Sequence, residues 1–144
     1  MVHLVDINHN NWRESLMVSE EQTSFVSDTY RIMARAYAFK EHRSQAKFIY
    51  KDETPIGMLM FYDCEELEGY DLSQLFIDRR YQRKGYGSKA TELVLQWMRQ
   101  DRKYDKVYLC YIEGNEAAKA MYLELGFRHT DEIDGDEIIM VLDL

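Results

Sequence analysis

Apolar residues along the chain fall into two rhythms. Residues 2–6, 46–50, 56–62, 72–77 and 107–112 are short runs rich in Val, Ile, Phe and Tyr, and read as strands. The rhythm of three to four belongs to helices. Ile32, Met33, Ala36 and Tyr37 keep it, and so do Ala90, Leu93, Val94, Trp97 and Met98 within residues 88–102. A third set, Ala118, Met121, Tyr122 and Leu125, follows the N-cap residue Asn115 and stops at Gly126, a natural residue just past a helix end.

Punctuation supports these spans. Ser19-Glu-Glu-Gln22 matches a capping box, and Ser27 or Asp28 caps a second helical stretch; the pattern fits two helices or one bent helix. Residues 51–54 are polar and precede Pro55, so the strands on either side form a hairpin. Residues 64–70 are an acidic connection, and residues 128–133 and 138–142 make a closing hairpin around Asp134-Gly135. The order is strand, helices, three strands, helix, strand, helix, two strands. It predicts an α/β (α+β) domain spanning 1–144, with a mixed twisted sheet of six to seven strands and about four flanking helices.

Composition narrows the function. With 144 residues, 46% hydrophobic, one Pro and 7 Gly, the chain is one ordered domain with a real core. Its net charge of −8 disfavours nucleic acid and favours a small cationic partner. The basic cluster Arg79, Arg80, Arg83 and Lys84 is too short to make a nucleic-acid stripe. No apolar run approaches membrane length and no leader pattern opens the chain, so a cytoplasmic location is expected, with no membrane partner. Cys64 and Cys110 lie in different apparent strands, and His3, His9, His42 and His129 are scattered, so no metal site is expected.

The sharpest feature is Gln82-Arg83-Lys84-Gly85-Tyr86-Gly87, with Ser88 after it, between a strand and a helix. Such a loop turns backbone N–H groups toward an anion at a helix N-terminus, and its glycines allow close approach. Arg83 and Lys84 add positive charge within an acidic chain, which suits a pyrophosphate. The third glycine of a dinucleotide fingerprint and the Gly-Lys-Ser/Thr ending of a P-loop are both missing.

Gln-x-x-Gly-x-Gly in this setting resembles the pyrophosphate motif of the GCN5-related N-acetyltransferases (GNAT). Asn115-Glu-Ala-Ala-Lys-Ala-Met-Tyr122-Leu-Glu-Leu-Gly126-Phe127 resembles that family's second motif, in the right order and spacing. The resemblance implies acetyl-CoA as cofactor. Leu75, Phe76 and Ile77 would pair with its pantetheine arm, and the stretch from Gln82 through Ser88 would hold its diphosphate. Asn115 and Lys119 would belong to the second cofactor-contacting segment. Tyr122 matches the tyrosine that protonates the departing thiolate, a role suited to a phenol. The family's glutamate on the strand before the loop falls here at Ser73, which is no base by itself. The proton acceptor is left among Glu113, Asp71 and a water chain through Ser73.

Residues 76–87 also resemble the Bacillus-type spermine/spermidine acetyltransferases within the superfamily. That likeness implies a polyamine or diamine as the acceptor. Asp63, Glu65, Glu66, Glu68 and Asp71 offer spaced carboxylates for spaced ammonium groups, and Tyr30 and Tyr37 offer aromatic faces. An aminoglycoside, an amino acid, a protein N-terminus or a non-catalytic CoA-binding role are the alternatives. Relatives often pair through sheet edges or C-terminal strands, so a homodimer is a further expectation.

Overall fold

The computed structural model describes residues 1–17 and 28–144. Seven strands form one mixed sheet: β1 (Val2–Asp6), β2 (Gln45–Lys51), β3 (Thr54–Cys64), β4 (Gly69–Ile77), β5 (Lys106–Ile112), β6 (Arg128–Asp134) and β7 (Glu137–Asp143). Their spatial order is β1-β2-β3-β4-β5-β7-β6. Every neighbouring pair is antiparallel except β4 with β5. Among the described residues three α-helices flank the sheet: α1 (Thr29–Ala38), α2 (Tyr86–Asp101) and α3 (Glu116–Glu124). The capping box at Ser19 and the cap alternative Ser27 lie outside the described residues. Asp28 caps α1, accepting the Arg31 amide at 2.8 Å.

The sheet buries both faces, and each face has its own core. On one side Ala90, Val94, Leu95 and Met98 of α2 and Tyr122 of α3 pack on Leu59, Phe61, Leu72, Val107, Leu109 and Met140. On the other side Ile32 of α1 packs with Phe48, Met58, Met60 and Phe76. Tyr37, although at helical spacing with Ile32, is 70% exposed, and its ring lies under the Lys40 ammonium at 4.1 Å.

Two of the boundaries that differ from the sequence pattern bear on the site. β4 begins at Gly69, so the acidic connection is only the turn at 65–68. Pairing with β3 draws Gly69, Tyr70 and Asp71 into the ladder, a tertiary effect that polar residues hide from a periodicity reading. α2 begins at Tyr86, two residues early, because Gly85 supplies its left-handed N-cap at φ 80°.

β4 also carries a bulge. Met60 pairs with Gln74 and Phe61 with Leu72, leaving Ser73 without a partner across the β3–β4 ladder. Before the bulge Tyr70 and Leu72 face α2; after it Ile77 does, with Leu75 at the core's edge, while Phe76 faces α1.

Candidate active site

β4 and β5 are joined by two register pairs, Tyr70 with Val107 and Asp71 with Tyr108. Beyond these, β4 stays with β3 and β5 stays with β7. The parallel strands therefore part, and a cleft of about 810 Å³ opens at their C-terminal ends. Leu75, Phe76 and Ile77 of β4 form one wall, and the start of α2 with Arg83 and Gly85 forms a second. Asn115, Met121 and Tyr122 of the α3 segment close the third. Along this wall β4 lacks a ladder partner on the β5 side, which leaves an edge for an extended ligand.

The loop between β4 and α2 is held from below. Fully buried Asp78 accepts the Arg80 amide at 2.9 Å, the Arg80 guanidinium through two nitrogens at 3.0 Å, and the Met17 amide at 3.0 Å. Burial raises the Asp78 pKa, but these donors outweigh it and hold the carboxyl below its ordinary value. Gln82 Nε2 donates to Ile77 O at 2.8 Å, fixing the strand end to the loop. The chain then turns through left-handed Arg83 (φ 64°) and Gly85 (φ 80°). The amides of Tyr86, Gly87 and Ser88 open α2 and have no intrahelical acceptor. A Cβ on Gly87 would lie 3.1 Å from Met121 Sδ, so this glycine lets α2 and α3 close on one another. Arg83 reaches the cleft wall, whereas Lys84 and Lys119 lie off it.

Tyr122 is 7% exposed and packs edge-on to Phe127 at 5.7 Å. Burial foremost, and the nearby Cys110 second, push its phenol well above the ordinary range, so it carries its proton at neutral pH. Asn115 lines the cleft and caps α3, its Oδ1 accepting the Ala118 amide at 3.3 Å.

On the sheet's other face, Asp71 lies at the last position before the strands part. Tyr62, its direct partner on β3, donates its hydroxyl to Asp71 Oδ2 at 3.0 Å. Burial is the largest influence on Asp71 and raises its pKa; Tyr62 and Arg35 draw it back, and Glu137 raises it further. Tyr62 is pushed up to about 12 by burial and then by Asp71. Cys110 is likewise pushed up to about 12, by burial first and then by Glu137 and Asp71, so its thiol stays protonated.

The sequence now takes its place among known proteins. Residues 6–127 match the Acetyltransferase (GNAT) family. The chain belongs to the GNAT acetyltransferases. The spermine/spermidine N(1)-acetyltransferase of Bacillus subtilis strain 168 is 31% identical over 137 residues, covering 90% of this chain and 88% of that protein. In fold, the chain is similar to an acetyltransferase from Thermus thermophilus, with a TM-score of 0.80 at 19% identity, covering 100% and 97% of the two chains. It is also similar to a spermidine N-acetyltransferase from Vibrio cholerae solved with CoA and spermine, with a TM-score of 0.75 at 16% identity, covering 99% and 95%.

Other expected site residues of this GNAT chain scatter. Glu113 is exposed just past β5, off the cleft wall, and its amide donates to Asp136 O at 2.9 Å. Ser73 is the bulge residue, half-buried beside Asp71 in the chain. Glu65 and Glu66 are exposed on the β3–β4 turn, at the opposite end of β4 from the glycine loop. Asp63 is buried and held by Arg43 at 2.7 Å and Lys103 at 2.7 Å, so the acidic run is not one row of free carboxylates. Tyr30 is exposed in the first turn of α1, its ring 6.2 Å from that of Trp12. The sequence reading missed Tyr62, Arg35, Cys110 and Glu137. The available signal was hairpin arithmetic: a turn at 65–68 sets residue 62 opposite residue 71.

Proposed function

We propose that this GNAT chain is an acetyl-CoA-dependent N-acetyltransferase that acetylates a primary amine of a small polycation, such as spermidine, spermine or a related diamine. The observation that carries the reading is the cleft between the parting strands, with the amides of the first turn of α2 on its wall, while Asp71 sits on the sheet's other face at the last position before the strands part. The residues fit the cofactor. A Cβ on Gly85 would meet nothing within 4 Å, so the loop surface is open where an anion approaches the first turn of α2. Arg83 on the cleft wall complements a diphosphate, and the β4 wall at Leu75, Phe76 and Ile77 suits an extended arm.

Acetyl-CoA, when bound, supplies an activated acetyl thioester. The chain's residues bind, orient and move protons. Amines with pKa near 10 arrive protonated at neutral pH and must lose a proton before they attack. Of the three acceptors weighed, Asp71 has the burial and the raised proton affinity that the role requires. Tyr122 holds the proton for the leaving sulfur. The polyamine acceptor is supported by the Bacillus relative at 31% identity and by the net charge of −8, which draws cations in.

The test is a steady-state acetylation screen over polyamines, aminoglycosides, amino acids and peptides, read by thiol release, with calorimetry of CoA binding. Preference for spermidine or spermine is expected. Tyr122→Phe is expected to lower kcat about 100-fold with CoA affinity unchanged. Turnover of another amine class alone would overturn the acceptor, and absence of CoA binding would overturn the whole reading.

A further inference from the structure

The α1 face of the sheet holds a chain of contacts that none of the sequence motifs includes. The Arg35 guanidinium of α1 lies 5.5 Å from the centre of the Phe39 ring. Phe39 stacks on Tyr62 with ring centroids 4.7 Å apart and an interplanar angle of 25°. Tyr62 in turn donates to Asp71 Oδ2 at 3.0 Å. Among the described residues no other hydrogen bond reaches the Asp71 carboxylate. Arg35 Nε is buried without a hydrogen-bond partner. Register puts the remaining neighbours on the same face: Tyr108 opposite Asp71, Cys110 opposite Ile139, and Ile112 opposite Glu137.

We propose that Tyr62 is a positioning residue for acetyl transfer: its hydroxyl orients the Asp71 carboxylate and sets how readily that carboxylate takes the proton of the acceptor amine. The inference rests on the reading of Asp71 as proton acceptor. A half-buried carboxylate with one hydrogen bond has freedom about its terminal torsion, and the phenol removes it. The Phe39 stack holds the phenol in turn, which links the seating of α1 to the orientation of the carboxylate.

The electrostatic consequence has a definite sign. Groups facing Asp71 are Tyr62 from β3, Arg35 from α1, Cys110 from β5 and Glu137 from β7. Tyr62 and Arg35 favour the charged carboxylate; burial and Glu137 oppose it. Removing the Tyr62 hydroxyl therefore raises the Asp71 pKa further. The acidic limb of kcat/KM, where Asp71 must lose its proton, moves to higher pH.

The experiment compares wild type with Tyr62→Phe, which keeps the ring and its stack. Asp71 is titrated directly by carbon-13 carboxyl NMR in the protein without cofactor, and the pH profile of kcat/KM is recorded for the best amine of the screen. We expect the NMR pKa and the acidic limb to rise together by about one pH unit. Above the limb, kcat should fall about 10- to 150-fold, the loss expected for one hydrogen bond to a charged group. An unmoved NMR pKa overturns the proposal. A shifted NMR pKa with an unmoved rate profile overturns it too, since Tyr62 would then tune a carboxylate the reaction does not use. Loss of melting temperature and rate without a pH shift marks a packing role and likewise overturns it. Failure of the acetyltransferase reading itself is distinguishable: the wild type would acetylate no amine of the screen, while the NMR arm could still be read.

Discussion

Burial beside the Glu137 carboxylate favours the neutral form of Asp71, against the pull of the Tyr62 hydroxyl and the Arg35 charge. A carboxyl whose folded pKa lies above its unfolded one contributes stability that is full below the ordinary pKa and lost as pH rises through the raised one. Near pH 7.5 its charge therefore costs the fold something. Asp71→Asn keeps an oxygen for the Tyr62 hydroxyl and removes that charge. Its melting temperature at pH 7.5 is expected to equal or exceed that of wild type, while kcat/KM for the amine falls at least about 100-fold. Thermal melts and steady-state kinetics on one preparation test both halves, and a destabilised variant would contradict the account. Only hairpin arithmetic from a turn at 65–68 shows this pairing in the sequence, and the acidic run hides that turn. The pairing depends on which residue of β3 stands opposite Asp71, and a run of acids reads as a solvated connection.

At the scale of elements, the glycine loop was legible because its determinants are local. A strand, two glycines two residues apart and an amphipathic helix lie within one short stretch of chain. The anchor under the loop was not, because Met17 meets Asp78 only in the folded chain. Gly85 is the element's pivot, with φ 80° and open space where a side chain would stand. Gly85→Val puts a β-branched residue in a left-handed conformation, at a cost on the order of 1–2 kcal/mol, and places its methyls over the amides of α2. The expected result is a CoA dissociation constant raised about 10-fold or more by calorimetry, with melting temperature lowered by only a few degrees. Among the described residues, the apolar spacing of Ile32, Met33 and Ala36 marked the single helix α1.

Across the whole molecule, the two faces of the sheet are tied by an ionic clamp at the end remote from the cleft. Arg43, itself left-handed at φ 54°, reaches both Asp63 of β3 and Asp101 at the end of α2, while Lys103 also holds Asp63. The Tyr70 hydroxyl donates to Asp101 at 2.6 Å. Hydrogen bonding from Arg43, against burial, lowers the Asp101 pKa to about 2 from 3.8. A depressed carboxyl contributes stability that is present above its unfolded pKa and lost as pH falls through the folded one, here between about 4 and 2. Arg43→Ala leaves the buried Asp63 with Lys103 alone. Since Arg43 is partly exposed, the expected loss is discounted to about 2 kcal/mol at pH 7, with acid unfolding moved to higher pH. Urea melts across pH 2–7 measure both. The mixed sheet itself was readable from the order of apolar runs. The clamp was not, because its members are scattered between positions 43 and 103.

Ser73 bears a consequence larger than its side chain. One supernumerary residue shifts the phase of β4, so that even-numbered residues point toward α2 before it and odd-numbered residues after it. Replacing this serine leaves that phase alone. Deleting it would join Leu72 to Gln74 in unbroken alternation, so Ile77 would still face α2 and Phe76 would still face α1; the wall of the cleft would keep its side chains, and only the local bend of the bulge would be lost.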